Sequence, residues 1–231
     1  MADFLADTVN RNDEVTTLRE AIITANCGDS PSYLITFVEE LDGSIIVLSW
    51  DDPADGDPDP NPLWIGNNDG TTINAGGLVS EINIDASRVT DAHQIASDYN
   101  RLIGLIILDA RHHGVYIVGD SNFVEYCTVR GCSSEGGGSP DYGGVTVAES
   151  ATDTNIEYCV IEENFAPGII VDGAEDVEII ENTIQGNGLS GVGDYQSYLP
   201  PGFWDGVVND NAPAGADKDQ SIAFTPQRHP F

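Results

Sequence analysis

VEYCTVRGC (Val124 to Cys132) is followed, 32 residues later, by IEYCVIEEN (Ile156 to Asn164). The Glu, the aromatic ring and the cysteine all return in place. Ile82-Asn83-Ile84, Leu105-Ile106-Ile107, Cys127-Thr128-Val129, Cys159-Val160-Ile161 and Asn182-Thr183-Ile184 share the pattern, and their first positions are 23, 22, 32 and 23 residues apart. A second series runs Gly114-Val115-Tyr116-Ile117, Gly144-Val145-Thr146-Val147, Gly168-Ile169-Ile170-Val171 and Gly191-Val192, at spacings of 30, 24 and 23. The insert SSEGGGSPDYGG (Ser133 to Gly144) accounts for the long interval in both series.

A fixed period near 23 built from short β-branched segments is the signature of a solenoid. The density of Gly, Asn and Asp between Thr71 and Gly193 opposes helices there. Alternation puts Cys127 and Val129 on one face of a strand and Thr128 on the other. If parallel strands stack lap on lap about 4.8 Å apart, equivalent residues form interior ladders. Leu105, Cys127, Cys159 and Asn182 make one; Ile84, Ile107, Val129, Ile161 and Ile184 make the next; Ala110, Cys132, Asn164 and Asn187 mark the turn that follows. Stacked Asn there can hydrogen-bond between laps. A β-sandwich with chance similarity between strands is the competing reading, and two parallel series with matching intervals disfavour it.

An exposed solenoid end leaves core and strand edge open, so it needs a cap. VTTLREAIITANCGD supplies one: Thr17 as N-cap and Glu20 three residues later fit a capping box, and Leu18, Ala21, Ile22 and Ala25 form one apolar stripe. Gly28 is expected to end the helix in the left-handed region, and YLITF (Tyr33 to Phe37) is the first strand. Here the chain resembles a known family. LREAI followed by an apolar pair and Ala-Asn looks like the N-terminal cap helix of right-handed parallel β-helix proteins of the pectate-lyase-like superfamily. GTTINAGG (Gly70 to Gly77) and IENTIQGN (Ile180 to Asn187) are similar to its early-coil and later-coil phrases. The resemblance spans residues 8–195 and implies an all-β chain: a right-handed parallel β-helix of about six coils. It implies no particular activity, because the family includes adhesins, autotransported passengers and virion proteins as well as enzymes.

The totals constrain habitat. Among 231 residues there are 39 acidic and 8 basic side chains, a formal charge of −31, and Lys218 is the sole lysine. At low salt such a chain repels itself; at molar salt the Debye length falls to about 3 Å and the repulsion fades. An acidic, nearly lysine-free surface resembles the proteins of salt-in halophiles, haloarchaea especially. It opposes nucleic-acid binding, which needs a basic footprint, and anionic membranes. No apolar run is long enough to span a bilayer. The opening MADFLADTVN carries acids in place of a basic-then-apolar signal, so export by the general route is not expected for the chain as it stands. Cys27, Cys127, Cys132 and Cys159 are read as free thiols packed as small hydrophobes.

Chemistry is harder to find, because an Asp pair carries little information where acids are everywhere. Arg111-His112-His113-Gly114 holds the chain's one His pair and reads as a solvated turn between two strands. Arg88, Arg101 and Arg130 read as partners of the acidic coat. The resemblance would place catalysis in clustered Asp with His or Arg, yet the Asn-Thr-Asp, Gly-His-Gly and Arg-Ile-Lys phrases of pectinase-like hydrolases do not occur. Within DDPADGDPDPNP (Asp51 to Pro62), Asp57, Asp59 and Asn61 mimic the first ligands of an EF-hand loop, but Pro62 stands at the required Gly and Asn68 at the required Glu. A looser Ca²⁺, Mg²⁺ or Na⁺ site from Asp55, Asp57, Asp59 and Asn61 is one expectation, and a Pro-stiffened acidic loop without metal is the other. No catalytic residues and no further cofactor are expected.

The period stops near Tyr195, which divides the chain into a capped β-helix domain, residues 1–195, and a tail, residues 196–231. The tail reads as unable to form another coil; Phe203, Trp204, Phe224 and Phe231 are expected to cover the solenoid end or anchor it on a neighbouring subunit. Ile106, Val160 and Ile170 point outward as a lateral contact surface.

The functional expectation is a non-enzymatic structural or adhesive protein on the virion surface of a halophilic archaeal virus: capsid decoration, turret or tail fibre. It would be a homo-oligomer, trimer or pentamer, meeting other virion proteins and host surface glycans through Tyr116, Tyr126, Tyr142 or Tyr158. The alternatives are a secreted β-helix polysaccharide lyase or glycoside hydrolase, and a haloarchaeal cell-surface repeat protein. The charge of −31 makes one prediction independent of these choices. The thermal unfolding midpoint rises steadily from about 0.1 M to about 2 M NaCl, because screening removes self-repulsion from the folded state. A flat or falling midpoint in a melt series refutes it.

Overall fold

The computed structural model describes residues 16–49, 61–134 and 142–188, together with the backbone of two further strands, 204–209 and 222–225. The expected helix α1 (Leu18–Cys27) is present with its capping box: the Thr17 hydroxyl accepts from the Glu20 N–H at 3.2 Å, and the Thr17 N–H donates to the Glu20 carboxylate at 3.0 Å. Two details differ from the sequence reading. Gly28 is extended, with φ −87°, and the Tyr33 hydroxyl occupies the space a Cβ would take, 1.6 Å away. The stripe buries Arg19 rather than Ala21. The Arg19 guanidinium donates to the Pro62 and Asn61 carbonyls at 2.9 and 2.8 Å, and so ties the helix to the first lap. Asn26 and Asn68 add hydrogen bonds across the same junction.

The chain then winds through three faces per lap. The first lap is β1 (Tyr33–Thr36), β2 (Ile45–Val47) and β3 (Leu63–Ile65); the second is β4 (Thr71–Asn74), β5 (Ile82–Asp85) and β6 (His93–Ile95). The third is β7 (Arg101–Ile103), β8 (Leu105–Leu108) and β9 (Val115–Ile117), and the fourth is β10 (Phe123–Glu125), β11 (Thr128–Arg130) and β12 (Val145–Val147). The fifth is β13 (Asn155–Glu157), β14 (Val160–Glu162) and β15 (Ile169–Asp172). In the sixth, β16 (Glu178–Gln185) serves the first and second faces in one long strand. Every pairing is parallel. Val124 pairs with Ile156 and Val129 with Ile161, which is why the two phrases match.

The interior is as the ladders require. Ile84, Ile107, Val129, Ile161 and Ile184 have no exposed surface, and Cys127 and Cys159 retain 1%. Each fully buried Ile contributes about 1.5–3 kcal/mol. Cys127, Cys132 and Cys159 are buried free thiols, whereas Cys27 is an exposed one. The Asn turn forms between laps: the Asn164 carbonyl oxygen accepts from the Cys132 N–H at 2.9 Å, and the Asn187 carbonyl oxygen accepts from the Asn164 N–H at 3.1 Å. A second such ladder, at the opposite corner, links Asn122 to Asn100 and Asn100 to Thr71.

Corners are set by left-handed residues in register. Gly104, Tyr126, Tyr158 and Glu181 (φ 69°, 53°, 54° and 51°) turn the chain from the first face to the second. Tyr99, Ser121, Asp153 and Asp176 do the same between the third face and the first. Each non-Gly residue in this region costs about 1–2 kcal/mol. The cost is met because the N–H remains in the lap-to-lap ladder: Tyr126 donates to the Glu157 carbonyl and Tyr158 to that of Ile180, both at 3.1 Å.

Two expectations about the outside change. Ile170 is buried, 3% exposed, because Gly143 from the insert lies against it. Ile106 and Val160 remain partly exposed. The tail does return to the sheets, contrary to the sequence reading. Strand β17 (Trp204–Asn209) pairs in parallel on β16, and β18 (Ile222–Thr225) pairs on β15, taking the third-face position expected for Gly191-Val192. Pro- and Gly-rich composition concealed two short apolar runs, VV and IAF. Residues 191 and 192 lie outside the described residues.

Asn164 links three laps through its side chain, donating also to Val129 and to Asn187. Asn164→Ala strands these partners and is expected to lower stability by about 3 kcal/mol and the melting midpoint by roughly 6–12 °C. A calorimetric shift under 2 °C would contradict the ladder's role, at about the size of a neutral surface change.

Candidate functional site

The sequence-named cation ligands are only partly placed. Asp55, Asp57 and Asp59 lie outside the described residues. Asn61 is described, and its carbonyl is engaged by Arg19. Among the described residues no group of three or more His, Cys, Asp or Glu could hold a metal ion. Of the docking aromatics, Trp204 starts β17 and Phe224 lies in β18, while Phe203 and Phe231 are outside the described residues.

Of the three arginines read as partners of acids, Arg101 and Arg130 meet one. Arg101 on β7 donates through Nε to Glu125 on β10 at 2.9 Å, and its guanidinium lies 5.2 Å from the Phe123 ring centroid. Arg130 on β11 stands 4.0 Å from Glu162 on β14. Both bridges are exposed and contribute at most about 1 kcal/mol. Each joins one lap to the next along a face.

The His pair is not a solvated turn. His113 is 7% exposed and its Nδ1 is 2.8 Å from the Thr146 hydroxyl. Its ring stacks on Tyr116 at 4.8 Å, and His112 stacks on Tyr142 at 4.1 Å. Insert residue Tyr142 meets both imidazoles. Asp91, one lap below, accepts from the His113 N–H at 3.1 Å. Burial raises the Asp91 carboxyl above its ordinary value, against the lowering effect of the His113 N–H and the His112 charge. Tyr116 is raised by burial and by the charges of Asp91 and Asp172. Sequence reading singled out His112, His113, Tyr116 and Tyr142, placed Thr146 only within the repeat, and did not name Asp91. The period held the signal for Asp91, which is 22 residues before His113.

The exposed tyrosines Tyr126 and Tyr158 form a second group. They occupy equivalent corner positions in successive laps, and their rings stack at 5.0 Å and 6°. The stack borders a cleft of about 1100 Å³ that runs over Gly104 to the loop from Ala75 to Glu81.

Two histidines carry a charge penalty. Both His93 ring nitrogens lack a hydrogen-bond partner, and burial with the nearby Arg19 charge lowers its pKa to about 3. His113 is lowered to about 3 by burial and by His112. Both are neutral in the folded state. Their depressed folded values cost nothing above pH 6.5, where the unfolded imidazole is also neutral. Stability falls as pH drops below 6.5 and levels off near pH 3. The expected outcome is that His93→Leu gains about 2 kcal/mol on the wild type between pH 7 and pH 5. Equal pH slopes for the two proteins in denaturant titrations exclude a buried neutral His93.

Comparison with known proteins agrees with this architecture. A family model described as a right-handed β-helix region matches residues 64–198. A comparison with curated proteins finds no match. Among solved structures, the crystal structure of pectate lyase Pel9A is similar, with a TM-score of 0.54 and 12% sequence identity over 90% of this chain. The chain spans 57% of that lyase, and the likeness is one of fold.

Proposed function

The chain belongs to the right-handed β-helix family, and from that premise we propose that it is a non-enzymatic structural and adhesive protein. Its proposed place is the virion surface of a halophilic archaeal virus, as an oligomer that meets surface glycans. One observation supports the non-enzymatic part: among the described residues, Arg19, Arg101, Arg130 and His113 are engaged between laps or with the cap. Arg19 clamps the cap, Arg101 meets Glu125, and His113 is neutral and fixed between Thr146 and Asp91. A lyase of this architecture needs a basic side chain free to take a proton. The acidic, lysine-poor composition supports the saline setting, and the exposed tyrosines support a surface role.

A second reading has its own observation. Asp91 is a carboxyl held above its ordinary value beside His112 and the Tyr116 ring, which is the profile of a general acid. On that reading the protein cleaves a polysaccharide at the third-face aromatic cluster.

The two separate in a direct assay in molar salt. Incubation with pectate and with neutral polysaccharides is expected to release neither unsaturated ends nor new reducing ends. Turnover that disappears in Asp91→Asn, with folding unchanged by circular dichroism, replaces the first reading with the second. Sedimentation is expected to give a trimer or pentamer; a monomer at all concentrations removes the oligomeric part.

A further inference from the structure

The stacked tyrosines stop one lap short. Tyr158 and Tyr126 hold the first-to-second-face corner in the fifth and fourth laps, and the third lap has Gly104 at the same place. Gly104 is fixed as glycine twice over. Its φ is +69°, and a Cβ would lie 2.9 Å from the Gly76 nitrogen and 3.1 Å from its Cα. No side chain can therefore continue the stack. One face of the Tyr126 ring is covered by Tyr158 at 5.0 Å, close to the lap spacing. The other face is directed toward the third lap and borders the cleft above Gly104. Tyr126 is 55% exposed.

The rest of the cleft is polar in a specific way. Asn74 uses its carbonyl oxygen to hold the Gly76 N–H at 2.8 Å, which leaves its amide N–H₂ turned to other partners. Asn83 makes only long contacts of 3.5 Å through its amide. Glu81 adds a carboxylate, and Ile103 and Ile106 line the floor. The volume, about 1100 Å³, slightly exceeds the usual range of small-molecule sites, which suits one ring of a longer chain. A saturated sugar ring whose axial C–H groups form an apolar face and whose equatorial hydroxyls form the rim matches these walls: the C–H face stacks on the aromatic ring while the hydroxyls meet amides and a carboxylate. With Glu81 in the wall, the carboxylate of an acidic sugar seated in the cleft meets a like charge at contact range, where salt screens least.

We infer that the cleft above Gly104 is a saccharide subsite, in which an uncharged pyranose ring stacks on Tyr126 in the position a third tyrosine would have taken. Glu81, Asn74 and Asn83 bind its hydroxyls. This rests on the adhesive reading and names the site through which adhesion acts. Tyr126 is the platform, and Tyr158 is a positioning residue that fixes its ring from behind.

The test uses the full chain in molar salt with cellohexaose, mannohexaose, maltohexaose, chitohexaose and pentagalacturonate as probes, read by equilibrium binding and by saturation-transfer NMR. At least one uncharged hexasaccharide is expected to bind, with the galacturonate weaker. Tyr126→Asn keeps a residue tolerant of positive φ and is expected to weaken binding by about tenfold or more. Tyr99→Asn, at an exposed tyrosine on another corner, is the control for folding and is expected to bind as the wild type. Binding that survives Tyr126→Asn overturns this site and leaves the adhesive reading standing. Failure of every uncharged probe, or preference for the galacturonate, overturns the inference. Cleavage of a bound probe overturns the non-enzymatic reading while retaining the subsite.

Discussion

Everything in this molecule depends on the hydrogen bond from one lap to the next. A parallel ladder has no local turn to fix its register, so each lap must present its donors and acceptors where the previous one left off. The corners are the difficult part, because a turn ordinarily interrupts the ladder. Here the left-handed residues keep it continuous: Tyr99, Ser121 and Asp153 still donate to the lap above while they redirect the chain. Two Asn ladders close the remaining gaps from inside, supplying side-chain oxygens to backbone N–H groups that face no carbonyl. Buried polar groups are thereby satisfied within an otherwise dry core, which is the condition for keeping them there.

The outer surface follows a different logic. Most of its charges have one sign, and two of its few cations, Arg101 and Arg130, bridge laps. Aromatic rings are the exception to this polar coat, and they are grouped. Tyr116 and Tyr142 sandwich the histidines on the third face, where the insert folds back. Tyr126 and Tyr158 line the first corner beside a cleft. A solenoid places like residues on one line, so two tyrosines at the same phase of the repeat must meet. Their stacking is a direct product of winding, and it leaves an exposed pair of rings beside the cleft.

The sequence was informative where one residue type recurs at one phase. The returning EYC, the paired Ile and Val ladders and the Asn164–Asn187 turn were all legible because burial leaves few substitutes. The capping box was legible because it is local. The Asn100–Asn122 ladder was missed, since its next members are Thr154 and Thr71, a different residue type at the same phase. The tail strands were missed because their partners are distant and their flanks rich in proline. The His112–His113 cluster was misread as a turn in water. Its burial depends on Tyr142 and Thr146, which belong to another lap and cannot be associated with it by local pattern alone. Asp91 shows the same difficulty: it is one acid among 39 until the winding sets it beside a histidine.

The two longest departures from the repeat, Asp51 to Pro62 and Ser133 to Gly144, leave from the same corner, after β2 and after β11. In both cases the strands on either side keep their partners, and the following laps resume in phase. That edge of the prism is therefore a seam at which the lap lengthens by about a dozen residues while the strand register holds, and the ends of both segments fold back to clamp what lies beneath: Asn61 and Pro62 hold Arg19, and Tyr142 and Gly143 cover the histidines and Ile170. Both lengthened laps thus depart from the same side of the rod, and the winding absorbs them there because the lap-to-lap pairing on either side fixes where each must return.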